Sequence, residues 1–145
     1  MTMKKGFLIA VAVLVSAGNV LACKCVTAHQ EFEYAAKNSP LVFSGQLVSV
    51  TDEEKTDAIG AYSIRVFKFV PDKIWRGTKA DTITLISGND NCDIMLEKGH
   101  YIIYANLSRD LSRCDRTVAS NIEKEIMRLD RLFTRKRFKQ LQAAG

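Results

Sequence analysis

Apolar and polar residues alternate with a period of two through the middle of the chain, which is typical of β-strands. The clearest run is 61–70, in which Ile64 and Val66 fall on one face while Phe67 and Phe69 fall on the other. The same pattern, with β-branched residues and flanking turn signals, predicts five strands, over 41–50, 61–70, 81–87, 100–106 and 111–119.

Polar segments separate these strands and predict turns. Residues 51–60 are polar and acidic, so we expect an exposed turn there, and 87–91 should form a loop leading into Cys92. Within the first strand, Gly45 predicts a bulge or a sharp coil. Short strands with turns between them, and helices near both ends, favour a mainly β fold, a five-stranded Greek-key barrel.

A helical period predicts a short helix before the first strand. The helix would cover 29–37, after a capping box at 27–30. The spacing of its apolar residues turns Phe32, Ala35 and Ala36 inward.

A second helix is predicted after the last strand, because Ser120 and Glu123 form a capping box. Its apolar face consists of Ile122, Ile126, Leu129 and Phe133. The basic cluster at 135–139 is most simply a solvated helix end, whose cations suit the helix dipole; contact with an acidic partner or an anionic membrane is the alternative. We therefore assign 23–119 to the barrel and 120–145 to an amphipathic basic helix.

The segment 1–22 has the pattern of a secretory signal peptide. Two lysines precede an apolar run over 7–15, and the tripeptide 20–22 provides acceptable residues for a cleavage site. The apolar run is too short to span a bilayer, which takes about 20 residues. We expect cleavage after Ala22 and a periplasmic or secreted mature chain that begins with Cys23.

A cysteine directly after a short signal has a second interpretation, which is lipid attachment. The thiol of Cys23 would then carry a lipid and its amine would be acylated, anchoring the protein to a membrane. Simple cleavage is favoured because Leu21 is unusual immediately before the small residue of a lipidation signal. We expect membrane contact only if Cys23 is lipidated.

The net charge of +5 is carried by the two ends of the chain. Residues 23–119 contain 12 basic and 13 acidic residues, whereas 120–145 contain 7 basic and 3 acidic ones. Lys4 and Lys5 supply the remaining positive charge. A body close to neutral offers no surface that tracks phosphates, so we expect no nucleic-acid partner.

Four cysteines lie outside the signal: Cys23, Cys25, Cys92 and Cys114. An even set in an exported chain indicates two disulfides. A Cys23–Cys25 bridge would close a ring over one residue, so it is the least favoured pairing, and the two long-range pairings stay open. A four-thiolate zinc site is the rival interpretation, but such sites usually need Cys-x-x-Cys pairs.

Six segments of the chain carry a family resemblance: Cys23-Lys24-Cys25, 41–48, 74–77, Cys92, 99–105 and Cys114-Asp115-Arg116-Thr117. In this order they resemble the inhibitory domain of the tissue inhibitors of metalloproteinases, and most closely the bacterial relatives of that domain in the netrin-like superfamily. The resemblance implies a barrel of the oligonucleotide-binding type. It also implies the disulfides Cys23–Cys92 and Cys25–Cys114.

In that family the mature N-terminus inhibits zinc metalloproteases. The α-amino nitrogen and the carbonyl oxygen of the first cysteine chelate the protease's zinc and displace the water that would attack a peptide. Carried over to this chain, the resemblance makes Cys23 the chelating residue and places Lys24 in the primary specificity pocket. The rest of the binding ridge would consist of Cys25, Val26, Asp90 and Asn91.

We expect no enzymatic activity and no cofactor, because the chain lacks a recognisable catalytic set. His29 and His100 have no partner at metal-ligand spacing, and disulfides would leave no free thiol nucleophile. The resulting hypothesis is an exported inhibitor whose partner is a zinc metalloprotease. The alternative is an envelope interaction module on the same netrin-like fold, with or without a lipid anchor at Cys23, that has no inhibitory activity.

Overall fold

The described residues of the computed structural model are 25–88, 93–106 and 108–143. The strands are β1 (Leu41–Thr56), β2 (Ala61–Arg76), β3 (Ile83–Gly88), β4 (Gly99–Ala105) and β5 (Thr117–Val118). A 3-10 turn (Thr27–Gln30) and helix α1 (Phe32–Asn38) precede the strands, and helix α2 (Ile122–Ala143) follows them.

The five strands form one sheet in the order β3-β2-β1-β4-β5, and all neighbours are antiparallel. Because the fourth strand returns to lie beside the first, the order is that of a Greek key. The prediction of a mainly β fold with five antiparallel strands is confirmed.

The sheet curls but does not close in the described part of the chain, so the fold is barrel-like only in a loose sense. The segment after β4 runs beside β3, where Ile86 N donates to Arg109 O at 3.0 Å. Leu111 N donates in turn to Ile86 O at 2.7 Å. These two hydrogen bonds bring the ends of the sheet together without a full strand between them.

The predicted turn at 51–60 is wrong, because most of it is strand. β1 continues to Thr56 and pairs with β2 as far as Ala61, which leaves a turn of only four residues. Asp57 closes this turn, since its Oδ1 accepts from Ile59 N at 2.8 Å and from Gly60 N at 3.1 Å. The result is a two-stranded arm, residues 51–62, in which every residue is exposed.

The predicted last strand at 111–119 is mostly irregular. Only Thr117 and Val118 pair with β4. The earlier residues form a turn in which Ser112 N donates to the Asp115 carboxylate at 2.8 Å and Asp115 N donates to Ser112 O at 3.1 Å. Because these backbone groups are hydrogen-bonded within the turn, they are not available to pair a longer strand with β4.

The inner face of the curled sheet holds one core cluster. Phe43 and Phe69 meet edge to face, with ring centroids 5.4 Å apart. The cluster is completed by Leu47, Phe67, Ile83, Leu85, Ile94, Tyr101, Ile103, Ala105 and Leu111. Burial of this many large apolar side chains is the main source of the sheet's stability.

The outer face holds a second cluster beneath the two helices. Phe32, Ala35 and Ala36 of α1 are buried, as predicted, and so is Leu129 of α2. The sheet contributes Val42, Ile102 and Tyr104. The predicted apolar face of the second helix is confirmed, because Ile122, Ile126 and Phe133 also pack against this cluster.

Helix α1 begins later than predicted. Its N-cap is Glu31, which makes no side-chain capping hydrogen bond, so the capping box at 27–30 is wrong. Those residues form the 3-10 turn instead, in which His29 N donates to Val26 O at 3.0 Å.

β1 and β2 approach closely at Gly45, and the register of the pair shifts between Ser44 and Gly45. A Cβ at residue 45 would lie 2.6 Å from Val70 O and 2.9 Å from Pro71 Cα. Both are backbone atoms, so the strands would have to separate. The predicted irregularity at Gly45 is confirmed.

We predict that Gly45→Ala lowers the free energy of unfolding by about 1–3 kcal/mol, because the added methyl overpacks the strand contact. Gly88→Ala is the matched control, since its Cβ would meet only Asp93 Oδ1, at an ordinary 3.8 Å. Urea unfolding of both variants measures the difference. Equal losses in the two variants would contradict this account of Gly45.

Candidate functional site

Two of the predicted ridge residues, Cys25 and Val26, lie in the described part of the chain. The others, Cys23, Lys24, Asp90 and Asn91, lie outside it, and so do both residues of the predicted Cys23–Cys92 disulfide. Cys25 begins the segment 25–30, which we call the N-terminal strip. Val26 in this strip is extended (φ −72°, ψ 114°) and 62% exposed.

A disulfide joins Cys25 to Cys114, with the two Cα atoms 5.0 Å apart and 89 positions apart in sequence. It ties the N-terminal strip to the turn that precedes β5. This is the bridge that the family resemblance implies for Cys25. Because both thiols are oxidised, they cannot act as thiolate ligands, and the four-thiolate zinc site is wrong.

The turn around Cys114 is held by short-range hydrogen bonds. Cys114 N donates to Ser112 Oγ at 3.2 Å, and Ser112 also forms an antiparallel bridge with Asp93. Asp93 directly follows Cys92 in the sequence. The structure therefore places Asp93, two residues after the predicted ridge residue Asn91, close to the turn that carries the Cys25–Cys114 bridge.

The base of the β1–β2 arm contacts the segment that follows Cys92. Asp93 accepts a hydrogen bond from Ser87 Oγ at 3.1 Å, and two residues later Met95 is 72% exposed. Met95 Sδ contacts Arg65, whose Nε donates to Asp52 Oδ1 at 2.7 Å. A series of contacts thus links the strip, the segment at 93–95 and the arm.

An ion pair between buried Glu125 and part-buried Arg116 lies two residues along the chain from Cys114, and sequence reasoning did not predict it. Glu125 of α2 is only 5% exposed. It accepts from Tyr104 Oη at 2.6 Å and from Arg116 Nε at 2.8 Å. The signal was present, because Glu125 falls on the apolar face of the helix, between Ile122 and Leu129.

Burial and hydrogen bonding shift the pKa values of Glu125 and Tyr104. Burial alone would raise the pKa of Glu125, but hydrogen bonds from Arg116 and Tyr104 outweigh it and the pKa is lowered. Burial, with the neighbouring Glu125 carboxylate, raises the pKa of Tyr104 well above its ordinary range. The carboxylate therefore stays ionised and the phenol stays neutral across the physiological pH range.

The two histidines have local partners. His100 Nε2 lies 2.9 Å from Asp72 Oδ2, which also accepts from Ser44 Oγ at 2.8 Å. His29 stacks on Tyr34, with ring centroids 4.9 Å apart. Among the described residues, no group of three or more His, Cys, Asp or Glu side chains is arranged to hold a metal ion.

Across the part of the chain that the structure describes, no helix combines the length and the apolar character needed to cross a membrane. No protein-family model matches this chain, and no curated protein sequence matches it either.

We predict that replacing both Cys25 and Cys114 by Ser lowers the free energy of unfolding by about 2–5 kcal/mol, because the bridge closes a long loop. Ser112→Ala is the control, since it removes the hydrogen bond from Cys114 N but keeps the bridge, and should cost about 1 kcal/mol. Urea unfolding under non-reducing conditions measures both. An unchanged midpoint in the double variant would overturn this role of the bridge.

We predict that Glu125 contributes stability that depends on pH. Its pKa in the folded protein lies below the ordinary value of 4.5, so the contribution is complete above about pH 4.5 and is lost as the pH falls through the lower, folded value. The difference in unfolding free energy between the wild type and Glu125→Gln should therefore shrink as the pH falls below 4.5. Asp130, whose pKa is also lowered, is present in both proteins and cancels. A difference that stays constant down to pH 2 would contradict the prediction.

Proposed function

We propose that this chain is an exported inhibitor of zinc metalloproteases that binds the protease's zinc through the mature N-terminal residue, Cys23. The observation that carries the proposal is the Cys25–Cys114 disulfide. It anchors the chain two residues after the proposed N-terminus, at the edge where the segment following Cys92 also lies.

The position of the anchor limits where the chelating group can go. An extended chain spans at most about 3.6 Å per residue, so the α-amino nitrogen of Cys23 stays within roughly 7–10 Å of the Cys25 backbone. A chelating group confined in this way loses little conformational entropy when it docks. The disulfide thus supports a preorganised N-terminal ligand.

The chemistry of the N-terminus suits zinc. A free α-amine has a pKa near 8, so it loses its proton readily when a metal competes for the lone pair. The amine and the carbonyl oxygen of Cys23 would then occupy two positions on the protease's zinc, including that of the attacking water. Inhibition follows because the peptide substrate meets no activated water.

The neighbouring residues would supply the rest of the contact. Lys24 would enter the primary specificity pocket, and Asp90 and Asn91 would flank the strip. Val26 and Met95 add exposed apolar surface on this edge, since they are 62% and 72% exposed.

The inhibition assay requires the authentic N-terminus. We predict that the exported protein, begun at Cys23, inhibits at least one enzyme of a zinc-metalloprotease panel, and that a variant with one extra Ala before Cys23 loses inhibition by about a hundredfold or more, because the added peptide bond removes the chelating amine. Intact mass under non-reducing conditions verifies the N-terminus, the absence of acyl groups and the loss of four hydrogens for two disulfides.

Three outcomes distinguish the possible functions. Equal inhibition by the extended form would show that chelation by Cys23 is wrong. A mass that includes acyl chains would favour the envelope interaction module, since an acylated amine cannot chelate zinc. A free N-terminus with no inhibition of any protease in the panel would also count against the proposal.

A further inference from the structure

One arginine connects the C-terminal helix to the N-terminal strip. Arg116 lies two residues after Cys114, between α2 and the strip. Its Nε donates to Glu125 Oε1 at 2.8 Å, and its Nη1 donates to the backbone oxygen of Gln30 at 2.5 Å. A single planar guanidinium therefore holds one group of the helix and one group of the strip.

Burial and hydrogen bonding fix the position of the Glu125 carboxylate. It is buried, and a buried charge is tolerated only when it is paired and hydrogen-bonded. Tyr104 and Arg116 satisfy it with short, charge-assisted hydrogen bonds of 2.6 Å and 2.8 Å. The hydrogen bond to Glu125 thus holds Arg116 in the orientation in which its Nη1 bonds Gln30 O.

Two further contacts involve the neighbours of this arginine, one between α2 and α1 and one between the strip and the disulfide turn. The Arg128 guanidinium of α2 lies 3.8 Å from the ring centroid of Phe32, the first residue of α1. Gln30 Nε2 donates to Arg113 O at 3.4 Å. The strip is therefore in contact with the disulfide turn, and α2 is in contact with the helix that follows the strip.

Helix α2 has another anchor that does not involve the strip. Asp130 Oδ1 accepts from Trp75 Nε1 at 2.7 Å and lies 2.6 Å from Lys73 Nζ. Both partners belong to β2. Because this anchor and Leu129 already dock the helix on the sheet, the Arg116 contacts are not needed merely to hold the helix in place.

We propose that α2 braces the N-terminal strip, and that Arg116 and Glu125 are positioning residues for the predicted protease-binding ridge. The inference rests on the proposed function. The disulfide fixes the strip at Cys25, and the start of α1 fixes its other end. The hydrogen bond from Arg116 to Gln30 O adds a link to α2 through Glu125, and this link sets the orientation of the strip between those two ends.

The test compares three variants of the full mature chain. Arg116→Lys keeps the charge but cannot reach both Glu125 and Gln30, since an ammonium lacks the fork of a guanidinium. Glu125→Gln removes the charge that orients Arg116. Asp130→Asn is the matched control, because it weakens the other anchor of the same helix and leaves the strip contacts alone.

Two measurements are made on each variant. Amide exchange by NMR at His29 and Glu31, whose N–H groups bond Val26 O and Ala28 O, reports the order of the strip. The inhibition constant against a protease that the wild type inhibits reports its positioning. For Arg116→Lys and Glu125→Gln we expect about tenfold faster exchange and about tenfold weaker inhibition, from the loss of one charge-assisted hydrogen bond. Asp130→Asn should change neither.

The outcomes separate this inference from the proposed function. If exchange in the strip is the same in Arg116→Lys and Asp130→Asn, the brace is wrong even if the wild type is an inhibitor. If exchange rises in the two brace variants but inhibition does not weaken, the strip is ordered by α2 but is not positioned by it for binding, and the inference is overturned. If the wild type inhibits nothing, the proposed function fails, and the exchange comparison by itself decides whether α2 orders the strip.

Discussion

The structure depends on the way β1 pairs on both of its edges at once. Between Leu41 and Leu47 it is hydrogen-bonded to β2 on one side and to β4 on the other. Phe43 and Leu47 enter the inner cluster, while Val42 enters the outer one beneath the helices. A slip of one residue would exchange the two faces and remove both cores together. The close approach at Gly45, where no side chain intervenes, secures this register.

The parts of the fold that sequence reasoning predicted are those in which one face is buried. The alternation of apolar and polar residues predicted β3 and β4, and the helical spacing of apolar residues predicted the inward faces of both helices. The part of β1 in the arm was missed because residues 51–56 are exposed on both faces, so no apolar alternation exists there. The shortness of β5 was missed because the Ser112–Asp115 turn is set by side-chain hydrogen bonds, which hydrophobic patterning does not report.

The candidate site was predictable to a smaller extent. Cysteine spacing left two long-range pairings open, and only the family resemblance implied the Cys25–Cys114 bridge that the structure contains. Glu125 could have been singled out as a charge on an apolar helix face. Its connection to the strip could not, because the acceptor on Gln30 is a backbone oxygen and carries no sequence signal. Contacts of that kind become visible only when the chain is folded.

The β1–β2 arm has a further consequence for the molecule as a whole. β4 covers β1 only as far as Leu47, and β3 covers β2 only from Ile64 onward, so among the described residues neither edge of the arm is paired beyond those points. Bare strand edges invite pairing with another chain, and charged side chains are the usual protection. The arm carries Asp52, Glu53, Glu54, Lys55 and Asp57 within six positions. These charges disfavour edge-to-edge pairing, so a long ribbon can extend from a small protein without offering a ready template for another strand.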